Sequence, residues 1–399
     1  MTVDSLAYGV WYLLQFAVGI HLFSPLLLYF CYRQKKGRIL ASSRRKPPIT
    51  EGDYAIIVTA YEQTHMLPEV VASILRSNHS NYVVYVVADK CDISSLHFPD
   101  ERVVLLRPET TLASNTRSHF YAIRHFKREH ERLTVIDSDN LVDENYLHEL
   151  DHMFSRGFVA VQGVRKAKNM NTIYACLDAA RDLYYHFYDG ELLFNVGSSA
   201  TLAGSGMAFT VKLYRQCLER LDVVGAGFDK VLQYEILKRN VRIAFNGKAV
   251  VYDEKTAYTD QLVKQRSRWI NTWFKYFRFG FELMGKGALR GDLNPLLFGF
   301  TLLRPPLFIL LMLSLACCMA NVFINVWLFI AWIGGFVSFV AGFFLALRCS
   351  GADERIYRSL KGIPSFIRYQ VVSLVKARNA NTISVATKHY QKGQTKQAK

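Results

Sequence analysis

The sequence lacks the cysteine spacing that small zinc-binding and disulfide-stabilised domains need. Its seven cysteines include no Cys-x-x-Cys pair, which argues against a zinc site or a disulfide framework as the basis of the fold. Internal repeats and a recognisable nucleic-acid-binding module are also missing. The cysteines are therefore interpreted mostly as small apolar residues of a packed interior.

Acidic residues are comparatively few: 33 Asp and Glu stand against 49 Lys and Arg, for a net charge of +16. Much of the basic excess lies beside apolar segments. It includes Arg33, Lys35, Lys36, Arg38, Arg44, Arg45 and Lys46 after the first apolar run, and Lys388, Lys392, Lys396 and Lys399 near the C-terminus. Basic residues beside membrane segments are typical of contact with anionic lipids. We therefore expect membrane lipids, and no nucleic acid, as partners of these charges.

Long apolar runs are present in three places: Tyr8 to Tyr32, Leu307 to Asn325, and Val326 to Leu347. Each approaches the length needed to cross roughly 30 Å of hydrocarbon. The first run lacks a basic start and a small-residue cleavage site, which favours an uncleaved anchor over a signal peptide. The uncharged turn between the other two runs and the basic residues after the first place the soluble part in the cytosol. The pattern predicts a multi-pass cell-membrane protein, such as one of a bacterial inner membrane.

These features divide the chain into five expected parts. They are an anchor at 1–34, a cytosolic domain at 50–254, interfacial helices at 255–293, a transmembrane hairpin at 294–349, and a cytosolic interfacial helix with a basic tail at 350–399. Within the last two parts, Leu296 to Thr301 is interpreted as an interfacial turn and Pro364 to Arg378 as an amphipathic surface helix.

The cytosolic domain begins with alternating strand and helix patterns. The predicted strands are Tyr54 to Thr59, Tyr82 to Ala88, Val103 to Leu106 and Leu133 to Ile136, and the predicted helices are Leu67 to Ser77 and His119 to Arg132. This alternation indicates βαβ units and a largely parallel α/β sheet, whose strand ends are where such folds bind nucleotides.

Asp137-Ser138-Asp139 follows the predicted strand Leu133 to Ile136 directly. Paired carboxylates at such a position suit a divalent cation, Mg²⁺ or Mn²⁺, held on the phosphates of a ligand. A solvated turn is the alternative interpretation of the same three residues. Asp89 stands at the corresponding end of an earlier strand.

A second motif, Gln265-Arg266-Ser267-Arg268-Trp269, opens an aromatic helix before the hairpin. Gln265, Arg268 and Trp269 are spaced i, i+3 and i+4, so a helix presents them on one side. The arginine fork suits phosphate and the indole ring suits a sugar face. The aromatic residues of this helix are equally typical of a helix in the bilayer interface, and both interpretations are compatible.

In order from about residue 50 to 275, these motifs resemble the inverting family 2 glycosyltransferases with a GT-A-type, Rossmann-like domain, such as cellulose, chitin and hyaluronan synthases. The resemblance implies nucleotide-sugar contacts at Thr59, Ala60, Tyr61, Asp89, Asp137, Asp139 and Arg268, with Asp137 and Asp139 also binding the metal. It implies acceptor contacts at Gly204, Ser205, Gly206, Gln265 and Trp269, and it places the catalytic base at Asp229.

Two segments depart from the pattern of that family. Thr59-Ala60-Tyr61-Glu62-Gln63 stands where proline-x-tyrosine-asparagine-glutamate is common, and Gly227-Phe228-Asp229 stands where threonine-glutamate-aspartate surrounds the base. Asp229 alone could also serve as the N-cap of a helix from Val231 to Lys238.

The resemblance implies a membrane-bound enzyme that adds a hexose from a nucleotide sugar, a UDP-sugar, to a growing β-linked polysaccharide. Two alternatives stay open: transfer of one sugar to a polyprenyl phosphate or other lipid, and a catalytically silent sugar-nucleotide sensor or scaffold of an export complex. Three spans make a thin channel, so an export partner or a homo-oligomer is expected for polymer export. Thr382 to His389 resembles the gating loop of the synthases and is interpreted as a lid.

Overall fold

A computed structural model describes residues 3–42 and 48–377. Its centre is one eight-stranded sheet in the order β3-β2-β1-β4-β7-β6-β8-β5. The strands are β1 Tyr54–Tyr61, β2 Tyr82–Asp89, β3 Val103–Leu106, β4 Arg132–Asp137, β5 Leu141–Val142, β6 Ala160–Ala167, β7 Met207–Thr210 and β8 Ala244–Asp253. Strands β1 to β4 pair in parallel, as do β6 and β8. The mostly parallel α/β sheet, typical of GT-A domains, is confirmed.

Helices cover the sheet where the sequence alternates between strand and helix patterns. They are α2 Leu67–Leu75, α3 Asn115–Arg124, α4 Tyr146–Phe154, α5 Ile173–Tyr185, α6 Leu193–Asn195, α7 Val211–Leu218 and α8 Phe228–Lys238. A π-helical turn, His186–Leu192, joins α5 to α6. Strands β1 and β2 are buried along nearly their whole length, as expected for strands that have helices on both faces.

The predicted helix from His119 to Arg132 is wrong at both ends. The helix starts at Asn115 because the Ser114 side chain accepts a hydrogen bond from the Arg117 backbone N–H and caps it. It ends at Arg124, and the following segment approaches β4 with the His130 ring hydrogen-bonded to Tyr85 and Asp53. Long-range polar contacts therefore override the helical pattern there.

Three helices follow the sheet and lie before the hairpin: α9 Thr259–Tyr276, α10 Arg278–Arg290 and α11 Leu293–Leu303. The interpretation of Leu296 to Thr301 as a turn is wrong, because these residues form most of α11. Helices α10 and α11 approach closely at Gly280 and Gly299, where an added Cβ would meet the partner's backbone oxygen at 2.8 and 2.5 Å. Small residues thus permit a tight antiparallel pair.

Among the described residues, three helices are long and apolar enough to cross a membrane: Tyr8–Lys35 within α1 (Val3–Ser42), α12 Leu307–Ile324 and α13 Val326–Cys349. The Gln15 side-chain oxygen accepts hydrogen bonds from Asn321 at 2.5 Å and Trp332 at 2.8 Å, which joins all three helices. Short α14 Glu354–Ser359 and amphipathic α15 Ile363–Lys376 follow. The predicted basic tail and the lid at Thr382 to His389 lie outside the described residues.

The three candidate membrane helices and the sheet domain are joined by direct polar contacts. The Lys35 ammonium at the end of the first span donates to the Val196 carbonyl at 2.6 Å. Arg304, just before α12, forms a buried ion pair with Asp189 of the π-helical turn. Tyr188 of the same turn donates to the Gly342 carbonyl of α13 at 2.9 Å. These contacts fix the hairpin against the domain.

Candidate active site

The strand register brings the predicted nucleotide-binding residues to one edge of the sheet. Strand β1 lies between β2 and β4, with Thr59 opposite Asp137 and Tyr61 opposite Asp89. Because all three strands run in parallel, their carboxyl ends meet at this edge. The four side chains line the same cavity, and Ala60 joins them.

The backbone around this edge is strained. Of the four described non-glycine residues with positive φ, three lie here: Glu62 at +60°, Lys90 at +53° and Ala113 at +46°. Asp89 helps to hold this geometry, since its carboxylate accepts hydrogen bonds from the Leu112 and Ala113 backbone N–H groups at 2.9 and 2.7 Å. Strain of this kind gathers at ligand-binding sites. The Asp89 carboxylate therefore shapes the loop beside the site, a role that its position at a strand end did not predict.

Asp137 and Asp139 both line the cavity. Burial, followed by the neighbouring Asp139 carboxylate, raises the pKa of Asp137 to about 7. The Asp137 backbone N–H donates to the Ser205 hydroxyl at 3.1 Å, and Asn140 donates to the same oxygen at 2.8 Å. Ser205 is fully buried, and it contacts the backbone of Asp137 directly.

The three residues of the predicted acceptor turn, Gly204, Ser205 and Gly206, do not all reach the cavity. Gly204 lines the cavity, whereas Ser205 and Gly206 do not. Gly206 has φ of +66°, and an added Cβ would lie 2.8 Å from the Val251 side chain. Close packing against β8 therefore explains why position 206 is a glycine.

Asp229 lies in the first turn of α8, and Gly227, with φ of +102°, precedes the helix as its N-cap. The interpretation of Asp229 as the cap of Val231 to Lys238 is therefore wrong. The Lys230 ammonium lies 3.1 Å from Asp229 Oδ2. An added Cβ at Gly227 would come within 2.6 Å of Tyr276 and 2.7 Å of Thr272, so α8 starts in direct contact with α9.

Helix α9 presents Gln265, Arg268 and Trp269 to the cavity, as their spacing predicts. The Gln265 side-chain oxygen accepts a hydrogen bond from the Thr256 hydroxyl at 2.9 Å. Burial lowers the pKa of Arg268, and the nearby Asp137 carboxylate opposes that effect. The guanidinium carbons of Arg181 and Arg266 each lie 4.1 Å from the Trp269 ring centroid. The indole ring therefore already has cationic neighbours, and its contact with an acceptor sugar stays a prediction.

A set of seven charged side chains below this helix was missed by sequence reasoning. We call it the buried charge network; it consists of Asp178, Arg181 and Asp182 on α5, Arg165 on β6, Asp253 and Lys255 at the end of β8, and Arg266 on α9. Four members are basic and three acidic, so the network carries one net positive charge when all are ionised. The only sequence signal was the charged i, i+3, i+4 spacing of its α5 members.

The cavity that collects these residues has a volume of about 1130 Å³. It runs from the strand edge, past Asp229 and the helix face of Gln265 and Trp269, to the first turns of α12. Its two ends differ in chemistry, because the strand edge is rich in carboxylates and the membrane end is lined by aliphatic and aromatic side chains. Such a volume is ample for a nucleotide sugar.

The Asp137 and Asp139 carboxylates fit a divalent cation that substrate phosphates help to bind. Among the described residues, no group of three or more His, Cys, Asp or Glu side chains forms a complete metal cage. Mg²⁺ characteristically uses one or two carboxylates together with substrate phosphates. The raised pKa of Asp137 reflects two carboxylates close together in a buried place, which a cation would stabilise in their ionised forms.

One of three comparisons with known proteins, the match to a family model, agrees with the motifs. Residues 51–272 match the family model described as glycosyltransferase like family 2. A comparison with curated proteins gave no match. Among solved structures, this chain is similar to the mannosyltransferase PcManGT from Pyrobaculum calidifontis in complex with GDP-Man and Mn²⁺, with 15% identity, a TM-score of 0.48, and coverage of 90% of this chain and 98% of that one. It is also similar to S. aureus TarS 1–349, with 14% identity, a TM-score of 0.40, and coverage of 82% and 90%. Because the family model spans more than half of the 399 residues, the chain belongs to the family 2 glycosyltransferases.

Proposed function

We propose that this glycosyltransferase is membrane-bound and transfers a hexose, with inversion, from a UDP-sugar to a hydroxyl group presented at the membrane. The observation that carries the proposal is one cavity lined at once by Asp137 and Asp139, by Asp229, and by Arg268 of α9. A phosphate-binding group, a candidate base and an acceptor surface near the candidate membrane helices therefore share one cavity. The basic residues around Lys35 favour a cytosolic domain on a cell membrane.

The transfer is a single displacement at the anomeric carbon of the donor. The acceptor hydroxyl gives its proton to Asp229 while its oxygen bonds to that carbon, and the bond to the diphosphate breaks with its electron pair on the leaving nucleotide. Lys230 pairs with Asp229 Oδ2, which leaves Oδ1 to accept the proton. General-base assistance of this kind contributes about 10² to 10⁴ in rate.

Arg268 and the two aspartates serve the leaving group. The Arg268 guanidinium has the planar geometry that pairs with phosphate oxygens. When bound at Asp137 and Asp139, Mg²⁺ or Mn²⁺ would supply positive charge to the diphosphate as it departs. Ser205 and Asn140 orient the Asp137 backbone from behind.

Two acceptors remain candidates. A growing β-linked polysaccharide is implied by the Gln265, Arg268 and Trp269 motif and its resemblance to the polymer synthases. A lipid-linked acceptor is favoured by a separate observation, the apolar membrane end of the cavity. The sensor hypothesis is disfavoured, because Asp139, Asp229 and Arg268 are all retained and all face one cavity.

Purified protein in lipid nanodiscs tests the proposal with a panel of radiolabelled UDP-sugars, Mn²⁺, and membrane extract as the acceptor source. We expect transfer from at least one UDP-sugar, with an inverted product linkage by NMR. Product length then separates a polysaccharide from a single transfer. Absence of transfer and of donor hydrolysis across UDP-, GDP- and dTDP-sugars, with the nucleotide still bound, would support the sensor hypothesis instead.

A further inference from the structure

Residues 201–204 form a stretch of the cavity wall that belongs to no helix or strand, and we call it the wall segment. All four of its residues line the cavity, and it runs into the predicted acceptor turn at Gly204. Since no neighbouring strand pairs with this backbone, its N–H and C=O groups need partners of another kind. The shape of the wall segment therefore depends on those partners.

Two buried glutamines hold the backbone of the wall segment. The Leu202 N–H donates to the Gln233 side-chain oxygen at 3.1 Å, and the Ala203 N–H donates to the Gln162 side-chain oxygen at 2.9 Å. The Gln162 amide nitrogen also donates to the Gly206 carbonyl at 3.2 Å, beyond the end of the segment. Because both glutamine side chains are almost fully buried, these hydrogen bonds fix the position of the backbone that they contact.

Lys230 connects the wall segment to the candidate base. Its ammonium group donates to the Leu202 carbonyl at 3.2 Å and also lies 3.1 Å from Asp229 Oδ2. Lys230 and Gln233 are three residues apart on α8, so they lie on one face of that helix. This face holds both the C=O and the N–H of Leu202, and the same helix carries Asp229.

The contact between Lys230 and Asp229 is partly shielded from water. The Asp229 side chain is 15% exposed and the Lys230 side chain 34%, and such a pair is screened less by salt than a fully exposed one. A carboxylate in the first turn of a helix has several staggered rotamers available to it. The ammonium group favours the one in which Oδ2 meets Lys230 beside the wall segment.

We infer that Lys230 is a positioning residue, which aligns the Asp229 carboxylate with the wall segment so that the base and the acceptor hydroxyl meet in one geometry. The inference rests on the proposed function, in which Asp229 is the base. A general base must lie within hydrogen-bond reach of the proton that it takes, and a misplacement of about 1 Å can cost about 10² in rate. Lys230 acts through Asp229, so its loss lowers kcat and leaves donor binding unchanged.

The test measures transfer by the full chain in nanodiscs, with the UDP-sugar that is active in the panel and with saturating acceptor extract. Lys230→Met nearly keeps the length of the side chain but removes its charge and both of its polar contacts. We expect kcat to fall about 10- to 100-fold, while the donor KM and the affinity for UDP stay within about twofold. Lys230→Arg should return kcat to within about fivefold of the parent, because arginine keeps the positive charge and supplies N–H donors.

Lys238→Met is the matched control. Lys238 lies two turns later on α8, its ammonium is 3.5 Å from the Glu235 carboxylate, and it does not line the cavity. The kcat of this variant should stay within about twofold of the parent.

Hydrogen exchange measured by mass spectrometry tests the link to the wall segment without any need for activity. In Gln233→Met the Leu202 N–H loses its partner, and in Lys230→Met the Leu202 carbonyl loses its partner. Peptides that cover residues 199–206 should therefore exchange at least about threefold faster in both variants, and at the parent rate in Lys238→Met. Thermal unfolding of each variant verifies that it is folded.

The outcomes separate this inference from the proposed function. A parent-level kcat in Lys230→Met, equal losses in Lys230→Met and Lys238→Met, or a loss of UDP affinity as large as the loss of kcat would overturn the positioning role. The proposed function would stand in each case, because the parent protein still transfers sugar. If the parent transferred no sugar from any nucleotide sugar, the proposed function would fail, and unchanged exchange of residues 199–206 in Lys230→Met would then also refute the contact between Lys230 and the wall segment.

Discussion

The two ends of the cavity are built in different ways. At the strand edge, Thr59, Tyr61 and Asp137 lie at the ends of neighbouring parallel strands. The register of those strands sets the spacing between them. At the membrane end, the lining comes from α5, α9, α12, α13 and α15, which are held together by packing and by ion pairs such as Arg304 with Asp189. The first arrangement is polar and comes from adjacent strands of one sheet, whereas the second is largely apolar and comes from helices packed against one another.

Under the proposed function, the two ends of the cavity have different tasks. Strand ends present carboxylates and backbone groups at fixed spacing, which suits a nucleotide diphosphate and its cation. The membrane end varies with helix packing and lipid exposure, so it is suited to choose the acceptor. Variants at the strand edge should therefore affect donor use, while variants along α9 and α13 should affect acceptor use.

The largest expected effect is at the strand edge. Asp139→Asn removes a cation-binding carboxylate, so transfer should fall by at least about 10³-fold and Mn²⁺-dependent UDP binding should weaken. Calorimetric titration of UDP with and without Mn²⁺ measures the second effect. Asp222→Asn, an exposed aspartate paired with Arg117, is the matched control. Full activity in EDTA would contradict the metal assignment.

Asp229→Asn tests the candidate base, which lies in the cavity between its two ends. The amide cannot accept a proton, so transfer should fall by at least about 10²-fold while UDP affinity stays near that of the parent. Trp269→Ala should instead reduce acceptor-dependent transfer more than donor binding. Should Asp229→Asn transfer at the parent rate, or lose UDP binding while folded, Asp229 would be a structural residue and not the base.

Gly227→Ala tests whether α9 positions the base. Its φ of +102° disfavours a side chain, and the new Cβ would lie 2.6 Å from Tyr276. We expect a loss of about 1 to 3 kcal/mol in unfolding free energy. We also expect a drop in transfer, because the added methyl group would displace α8, and with it Asp229, away from α9. Thermal unfolding measures the first effect.

Gly285→Ala is the control for that substitution. Gly285 lies within α10 with no neighbouring heavy atom within 4 Å of an added Cβ. Alanine there should stabilise the helix by about 0.5 to 1 kcal/mol. If both variants changed the unfolding free energy equally, contact with α9 would not explain the glycine at position 227.

The smallest expected effect on ligand binding or transfer is a pH dependence confined to the strand edge. With the pKa of Asp137 raised to about 7, protons compete with the cation, so Mn²⁺ affinity should be about tenfold weaker at pH 6 than at pH 8. Mn²⁺ affinity should rise with pH because the cation binds the ionised carboxylate, which predominates above the pKa. In Asp137→Asn, binding should be weaker but nearly independent of pH over this range. A parent protein with flat Mn²⁺ affinity from pH 6 to 8 would contradict the raised pKa.

Much of the strand edge could be predicted from sequence. The strand Val103–Leu106 has the predicted bounds, and Asp137 and Asp139 stand at a strand end as expected. These features depend on neighbouring residues, whose periodicity reports burial directly. The loop-holding role of Asp89 and the buried hydroxyl of Ser205 were not predictable, because their partners are set by the turns between strands.

The membrane end was predicted only in outline. Hydropathy located three candidate spans, but the segment Leu296 to Thr301, which the sequence suggests is an interfacial turn, forms most of the helix Leu293–Leu303. Arg266 occupies a variable position of its motif, and its partner Asp178 lies 88 residues away. No local sequence pattern predicts an ion pair between residues so far apart in the chain.

The sequence by itself determined the family, the parallel sheet, the candidate spans and the carboxylates at the strand ends, because each depends on periodicity or on a short motif. Only the tertiary structure decided that Arg181 and Arg266 flank Trp269, that Asp229 follows a glycine packed on α9, and that the cavity opens between α12 and α13. The physical reason is that helix packing brings together residues far apart in the chain, and the energy of such contacts leaves little trace in local sequence.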